Sequence, residues 1–187
     1  MKEKLLSMIT ENKKLASGIF SMKIQAQGLT VKARPGQFVI LYCKDESRKL
    51  GRPLSICEID HDKQELRIVY RVVGKGTEEF SKLNVGDQIS VLGPLGNGYD
   101  IHAEHVLLVA GGIGIPPMLE LAKSISGEKT IVLGYRNNEL FLKEDFERYG
   151  NVYIATDDGS AGIKGNVVDV IKYYGIETDI ICACGPT

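Results

Sequence analysis

The sequence predicts two joined domains of different class: an antiparallel β-barrel over residues 1–98 and an α/β domain with a parallel sheet over residues 99–187. Three observations carry this reading. The first hundred residues fall into short strand-like runs separated by turn signals, the pattern of a small barrel. Farther on, apolar runs alternate with helical patterns, which is how a parallel sheet and its crossovers are written. Between the two regimes lies Gly93-Pro94-Leu95-Gly96-Asn97-Gly98, rich in turn formers and readable as a domain boundary or a functional loop.

Taken in order, residues 19–26 alternate imperfectly, with Ile19, Met22, Ile24 and Ala26 as the apolar set. A strand at 37–43 is opened by the turn Arg34-Pro35-Gly36. Strands at 53–59 and 66–73 are joined by the polar turn Asp60-His61-Asp62-Lys63. Within the second, Leu66, Ile68, Tyr70 and Val72 share one face by the two-residue period. Residues 77–83 suit a short helix with Thr77 as N-cap and Phe80 and Leu83 as its apolar side. Val85-Gly86-Asp87 then turns the chain into a strand at 88–92. In the second half, strands are predicted at 106–110, 130–135, 152–156 and 179–184. The first of these is continuously apolar, as a strand covered on both faces must be. Helices are predicted from Pro116 or Pro117 to residue 124, at 141–149 and at 167–174. The last carries Val167, Val170, Ile171 and Tyr174 at helical spacing. Gly185-Pro186 is a natural run-in to another helix, so the chain is expected to stop mid-fold at Thr187.

Composition bounds the function. With 43% hydrophobic and 25% charged residues the balance is that of an ordinary soluble domain, and a net charge of -1 leaves no broad basic field for nucleic acid or anionic lipid. No apolar run reaches the ~18 residues of a membrane span, and the first residues hold no signal-peptide core. Cys43, Cys57, Cys182 and Cys184 show no Cys-x-x-Cys spacing. They are expected to be buried thiols in a reducing cytoplasm, with no metal site in this chain. His61, His102 and His105 sit in turn-like surroundings and are expected on the surface.

Four segments carry chemistry. Arg52-Pro53-Leu54-Ser55 opens a strand; Arg52 and Leu54 fall on one face about 6.5 Å apart, a guanidinium for a phosphate and an apolar surface for an attached ring. Ser55 adds a donor for a ring nitrogen. Gly74-Lys75-Gly76-Thr77 lies at a strand-to-helix junction, where free amides and the helix dipole favour an anion and glycines allow close approach. Gly111-Gly112-Ile113-Gly114 follows an apolar strand and opens a helix, the context of a nucleotide loop without the Gly-x-Gly-x-x-Gly spacing. Asp157 and Asp158 end a strand at the sheet's ligand-binding edge, where they disfavour a ribose 2′-phosphate and tolerate a 2′-hydroxyl. Each segment alone also reads blandly, as a surface arginine or a plain turn. Together they mark more anion sites than one phosphorylated cofactor needs, which suggests electron transfer between two.

In this order the motifs resemble the ferredoxin–NAD(P) reductase superfamily across essentially the whole chain. The stretches Gly51-Arg52-Pro53-Leu54-Ser55-Ile56-Cys57-Glu58, Val69-Tyr70-Arg71-Val72-Val73-Gly74-Lys75-Gly76-Thr77 and Leu92-Gly93-Pro94-Leu95-Gly96-Asn97-Gly98 are similar to the electron-transfer subunits of heteromeric dihydroorotate dehydrogenases. The resemblance implies an FAD-binding barrel and an NAD-binding α/β domain. It implies FAD contacts from Arg52, Pro53, Leu54, Ser55, Val69, Tyr70, Arg71, Gly74, Lys75, Gly76 and Thr77, some of them through backbone groups. NAD(H) would fall to Gly111, Gly112, Ile113, Gly114, Asp157 and Asp158, with Cys184 of a Cys-Gly-Pro motif near the nicotinamide. The implied partner is an FMN-containing dihydroorotate dehydrogenase catalytic subunit in a cytoplasmic hetero-oligomer serving pyrimidine biosynthesis. Such subunits bind a [2Fe–2S] cluster through a C-terminal cysteine-rich segment that nothing in this chain matches, so a cluster is expected only in a longer native chain. The rival expectations are a subunit of a ferredoxin-linked NAD(P) oxidoreductase or sulfhydrogenase, and a non-catalytic nucleotide-binding module.

Overall fold

A computed structural model describes residues 4–44 and 50–186. The chain forms two compact units, Met1–Tyr99 and Asp100–Thr187. In the first, six strands close a barrel: β1 (Lys4–Ala16), β2 (Ile19–Gln25), β3 (Phe38–Tyr42), β4 (Arg52–Asp60), β5 (Glu65–Arg71) and β6 (Gln88–Leu95), in the order β1-β2-β5-β4-β3-β6. Every neighbouring pair is antiparallel. The interior is filled by the inward residues of each strand, among them Met22, Ile24, Val39, Leu41, Ile56, Leu66, Ile68 and Tyr70. The face foreseen on β5 is therefore the core face, with Val72 packed half-buried beside it.

β1 was not legible in the sequence. Leu6 and Met8 are exposed, and only Ser7 and Ile9 are buried. Its conformation is fixed by hydrogen-bonded neighbours on both edges, β6 along its first half and β2 along its second.

A short helix, α1 (Lys75–Ser81), follows β5 and buries Phe80 in the barrel core. It begins two residues earlier than predicted, and its N-cap is Gly74 rather than Thr77. Thr77 caps from inside the first turn: its Oγ1 accepts from the N–H groups of Val73 (3.0 Å) and Gly74 (3.3 Å). At the other end, Asn12 of β1 donates through Nδ2 to the carbonyls of Phe80 (2.9 Å) and Leu83 (2.7 Å). The amide thus ties the end of α1 to β1, adding to the N–H groups that the Phe80 carbonyl already accepts from its own terminus. β6 runs on to Leu95, so half of the turn-rich segment is strand.

The second unit is a five-stranded parallel sheet, made of β7 (His105–Gly111), β8 (Glu128–Tyr135), β9 (Asn151–Thr156), β10 (Ile163–Lys164) and β11 (Ile180–Cys184), in the order β10-β9-β8-β7-β11. β7 is an interior strand, between β8 and β11, and its residues 106–110 are buried, which explains the unbroken apolar run. Leu107 and Val109 pack with Val132, Ala155 and Val170 of α4 (Val167–Tyr174). α2 (Ile115–Ser124) buries Met118, Leu119, Leu121 and Ala122.

The helix expected at 141–149 is reduced to α3 (Lys143–Phe146). Leu142 is left-handed at φ 66, and the Phe141 carbonyl accepts from the Tyr135 hydroxyl at 2.9 Å instead of serving a helical turn. All three histidines are exposed. Cys57 and Cys182 are buried as expected, whereas Cys43 and Cys184, at strand ends, are half-buried. Among the described residues no helix is long and apolar enough to cross a membrane.

Candidate functional site

In the barrel unit, β4 and α1 build a cationic cradle. Arg52 opens β4 opposite Leu41 of β3, and its guanidinium lies directly over Gly76. A methyl group on Gly76 would come within 2.4 Å of the Arg52 Nε and 2.7 Å of Cζ. The same guanidinium donates to the Leu50 carbonyl. α1 has only seven residues, so the positive character here comes mainly from Arg52 rather than from a helix dipole. Gly74, with no side chain, and Thr77, whose hydroxyl is committed to the loop backbone, shape the approach.

The other predicted barrel residues separate into two groups. Pro53 is exposed and Ser55 half-buried along β4, so both remain accessible. Leu54 is half-buried and packs against the barrel core, which leaves part of its surface for a ring. Lys75 is exposed and Arg71 half-buried. Val69 and Tyr70 are buried, at 3% and 0% exposure. The Tyr70 ring lies in the core between Phe20 and Phe80, and burial pushes its phenol to a higher pKa. Any contact Tyr70 makes with a ligand is therefore through its backbone. Sequence reasoning missed Cys43, whose Sγ lies 3.9 Å from the Gly76 carbonyl; only its position directly after β3, the strand that pairs with the start of β4, would have marked it.

In the sheet unit the predicted residues gather at the carboxyl ends of adjacent strands. Gly111 of β7 is level with Gly134 of β8, Tyr135 of β8 with Thr156 of β9, and Ala110 of β7 with Cys184 of β11. This is where ligands bind in open α/β sheets. Gly112 takes φ 52 and begins a single 3-10 turn, Gly112–Gly114, that leads into α2. Ile113 is 40% exposed at its tip. Gly114 serves the fold differently, since a methyl group there would sit 2.4 Å from the Cys184 carbonyl oxygen. Its missing side chain admits the backbone leaving β11, not a ligand. Cys184 is thus held against the glycine loop, and burial raises its thiol pKa, so it is neutral at physiological pH.

The two aspartates differ. Asp158 Oδ1 accepts from the Ser160 hydroxyl (2.6 Å) and the Ser160 N–H (2.9 Å), and those bonds hold its carboxyl below the usual range. Its charge is engaged inside its own turn. Asp157 is exposed at the head of the loop, anchored by its N–H to the Tyr135 carbonyl. Thr156, fully buried, locks the loop by donating to the Ala161 carbonyl and accepting from the Ala161 N–H.

A family model for an oxidoreductase FAD-binding domain matches residues 8–99. The chain is 38% identical, over its whole length and 75% of the relative's, to the dihydroorotate dehydrogenase B (NAD(+)) electron transfer subunit of Bacillus mycoides. The corresponding subunit of Fusobacterium nucleatum is 40% identical over 95% of this chain and 74% of its own. The chain belongs to this family of electron transfer subunits. The family's fold matches as well. A solved NADH-dependent reduced ferredoxin-NADP oxidoreductase superposes with a TM-score of 0.88 at 34% identity, covering 100% of this chain and 70% of that one. The cytochrome b5 reductase domain of Ulva prolifera nitrate reductase shares the fold at a TM-score of 0.77 and 18% identity, covering 98% of this chain and 87% of that one.

Proposed function

We propose that this chain binds FAD on its barrel and NAD(H) on its parallel sheet, and passes electrons between NADH and a partner protein. The observation that carries the reading is the Arg52 guanidinium seated on Gly76, in space that any side chain at that position would take from it. A pyrophosphate fits that donor set, because a fixed guanidinium offers paired N–H groups to phosphate oxygens. The flavin, when bound, supplies the redox chemistry, taking a hydride and giving up electrons singly. The chain supplies position. Arg52 grips the phosphates, Ser55 offers a donor to the ring, and Leu54 gives it an apolar surface. Gly111, Gly112 and Ile113 present backbone to NAD(H), Gly114 makes room for the end of β11, and Asp157 faces the adenosine ribose. Cys184, as a neutral thiol, shapes the nicotinamide pocket without acting as a nucleophile.

The residues present do not fit a [2Fe–2S] cluster. Two cysteines lie in each unit, and among the described residues no three His, Cys, Asp or Glu side chains are grouped to hold a metal. The relatives' name supports a dihydroorotate dehydrogenase catalytic subunit as the partner, with electrons flowing from dihydroorotate toward NAD(+) or back, in pyrimidine synthesis. Four free thiols suit a reducing compartment such as the cytoplasm. A second reading, a subunit of a ferredoxin-linked NAD(P) oxidoreductase, is favoured by the 34% identity and 0.88 TM-score to such an enzyme.

The test is anaerobic. Purified protein loaded with FAD should lose its flavin absorbance on addition of NADH, and should reduce a co-purified dihydroorotate dehydrogenase catalytic subunit. A colourless protein that binds no FAD defeats the proposal; flavin bleaching with transfer only to ferredoxin selects the second reading.

A further inference from the structure

The loop that leaves β9 carries a charge opposite in sign to its two aspartates. The chain departs after Thr156 and returns as β10, parallel to the strand it left, with Lys164 level with Thr156. Parallel neighbours ordinarily need a crossover of about a dozen residues or more, so this excursion is tight. It is closed by the Gly165 N–H, which donates to the Thr156 carbonyl at 3.0 Å, and by the Thr156 hydroxyl clasping Ala161. Gly159 takes φ 78 within it, and a methyl group there would meet Cβ, Cγ and Cδ of Lys164 at 3.1–3.2 Å. The aliphatic stem of Lys164 therefore runs across Gly159. Lys164 is exposed, and such a stem covers the chain beneath it while its ammonium stays in water. Asp158 does not need that ammonium as a partner, because Ser160 already donates to its carboxylate twice. Another cation of this edge is Arg136, exposed after β8, whose carbonyl accepts from the Asp158 N–H at 3.3 Å.

We infer that Lys164, laid across Gly159, holds a positive charge at the loop that carries Asp157 and so limits how strongly this chain rejects a nucleotide with a 2′-phosphate. The inference rests on the reading that Asp157 faces the adenosine ribose. On that reading one exposed carboxylate repels a 2′-phosphate and one exposed ammonium attracts it. The preference for NADH is then the difference between two opposed charges on a single short loop, and each can be removed without the other. NADH, with a 2′-hydroxyl, is nearly indifferent to the balance.

Stopped-flow reduction of the FAD-loaded protein by NADH and by NADPH, over a range of nucleotide concentrations, tests this in the wild type, Lys164→Met, Lys164→Arg, Arg136→Met and Lys164→Met combined with Asp157→Ser. Lys164→Met keeps the stem and removes the charge. It should raise the NADH-to-NADPH preference about three- to tenfold, the size of one solvent-screened charge interaction at roughly 5–10 Å. The change should sit in the apparent Kd for NADPH, with the limiting rate and the NADH values unmoved, and should shrink as salt is added. Lys164→Arg should keep the wild-type ratio. The double variant should return to within a few-fold of wild type, because both charges are gone. Wild-type protein whose flavin neither nucleotide reduces removes the nicotinamide reading and this inference with it. Wild-type protein that is reduced, while Lys164→Met leaves the ratio unchanged, weakens both nucleotides alike or lowers the thermal midpoint without moving the ratio, overturns the role of Lys164 alone. A ratio that moves with Arg136→Met and not with Lys164→Met overturns it as well.

Discussion

Gly76 in the barrel and Gly114 in the sheet unit look alike in sequence, each inside a glycine-rich turn before a helix, yet they make room for different things. At Gly76 the space is taken by the far end of a long side chain, the Arg52 guanidinium. At Gly114 it is taken by main chain, the Cys184 carbonyl and Gly185. A guanidinium can swing away from an added methyl group; a strand end cannot. The first glycine should therefore serve a ligand, and the second the fold that presents one.

Substitutions can break or sharpen this contrast. The largest effect is expected in the barrel. Gly76→Ala should displace the guanidinium, and Arg52→Ala should remove it; each should cost about 1.5–3 kcal/mol of FAD binding, on the order of 10- to 100-fold, with little change in the thermal midpoint. Fluorescence titration with FAD checks this, and an unchanged affinity in both variants rejects the cradle. Gly114→Ala should behave the other way, losing about 1–3 kcal/mol of stability by overpacking against backbone while FAD affinity is retained. Denaturant unfolding measures it, and wild-type stability would show that the β11 end yields easily.

A smaller effect separates the aspartates. Asp157→Ser should lower the NADH-to-NADPH preference of flavin reduction by about tenfold, since a carboxylate near a 2′-phosphate repels it by about 1.5–3 kcal/mol at an effective dielectric of roughly 20–40. Asp158→Ser should leave that ratio nearly unchanged but loosen the turn. Stopped-flow reduction with both nucleotides decides between them, and a ratio that follows Asp158 reverses the assignment. The folded state holds the Asp158 carboxyl below its ordinary pKa, so the turn's stabilisation is present above the usual carboxylate range and is lost as pH falls from there through the lowered folded pKa. The smallest effect is at Cys184. Cys184→Ala should slow flavin reduction by NADH a few-fold without touching FAD affinity, and the thiol should react slowly with iodoacetamide at neutral pH because burial keeps it protonated. A lowered thermal midpoint with an unchanged reduction rate would make it a packing residue only.

The elements most legible in the sequence are those whose local signals and tertiary surroundings agree. α4 keeps its predicted bounds because Asn166 caps it, Asp169 closes a capping box and Gly175 ends it in the left-handed region. β5 was readable because its core residues Leu66, Ile68 and Tyr70 recur at every second position, although Val69 between them is buried as well. β1 was not, because its strand state comes from partners distant in sequence, and β10 was too short to leave a pattern. At the candidate sites the motifs located the loops but did not show what occupies the spaces within them. Nothing in Gly-Gly-Ile-Gly distinguishes a cradle for phosphate from a berth for a carbonyl. Nothing in Asp-Asp says which carboxylate Ser160 will claim.

The hydrogen bonds from Asn12 to the end of α1 also set an order of events. Asn12 and its acceptors are separated by 68 and 71 residues of chain, and β1 pairs with β6 as well as with β2. Contacts of such long sequence separation form late and slowly. During synthesis the helix carrying Gly76 stays unanchored at its far end until it has met the second half of β1. The cradle at Gly76 should therefore be complete only after α1 has docked on β1, which makes cofactor uptake a report on that long-range contact.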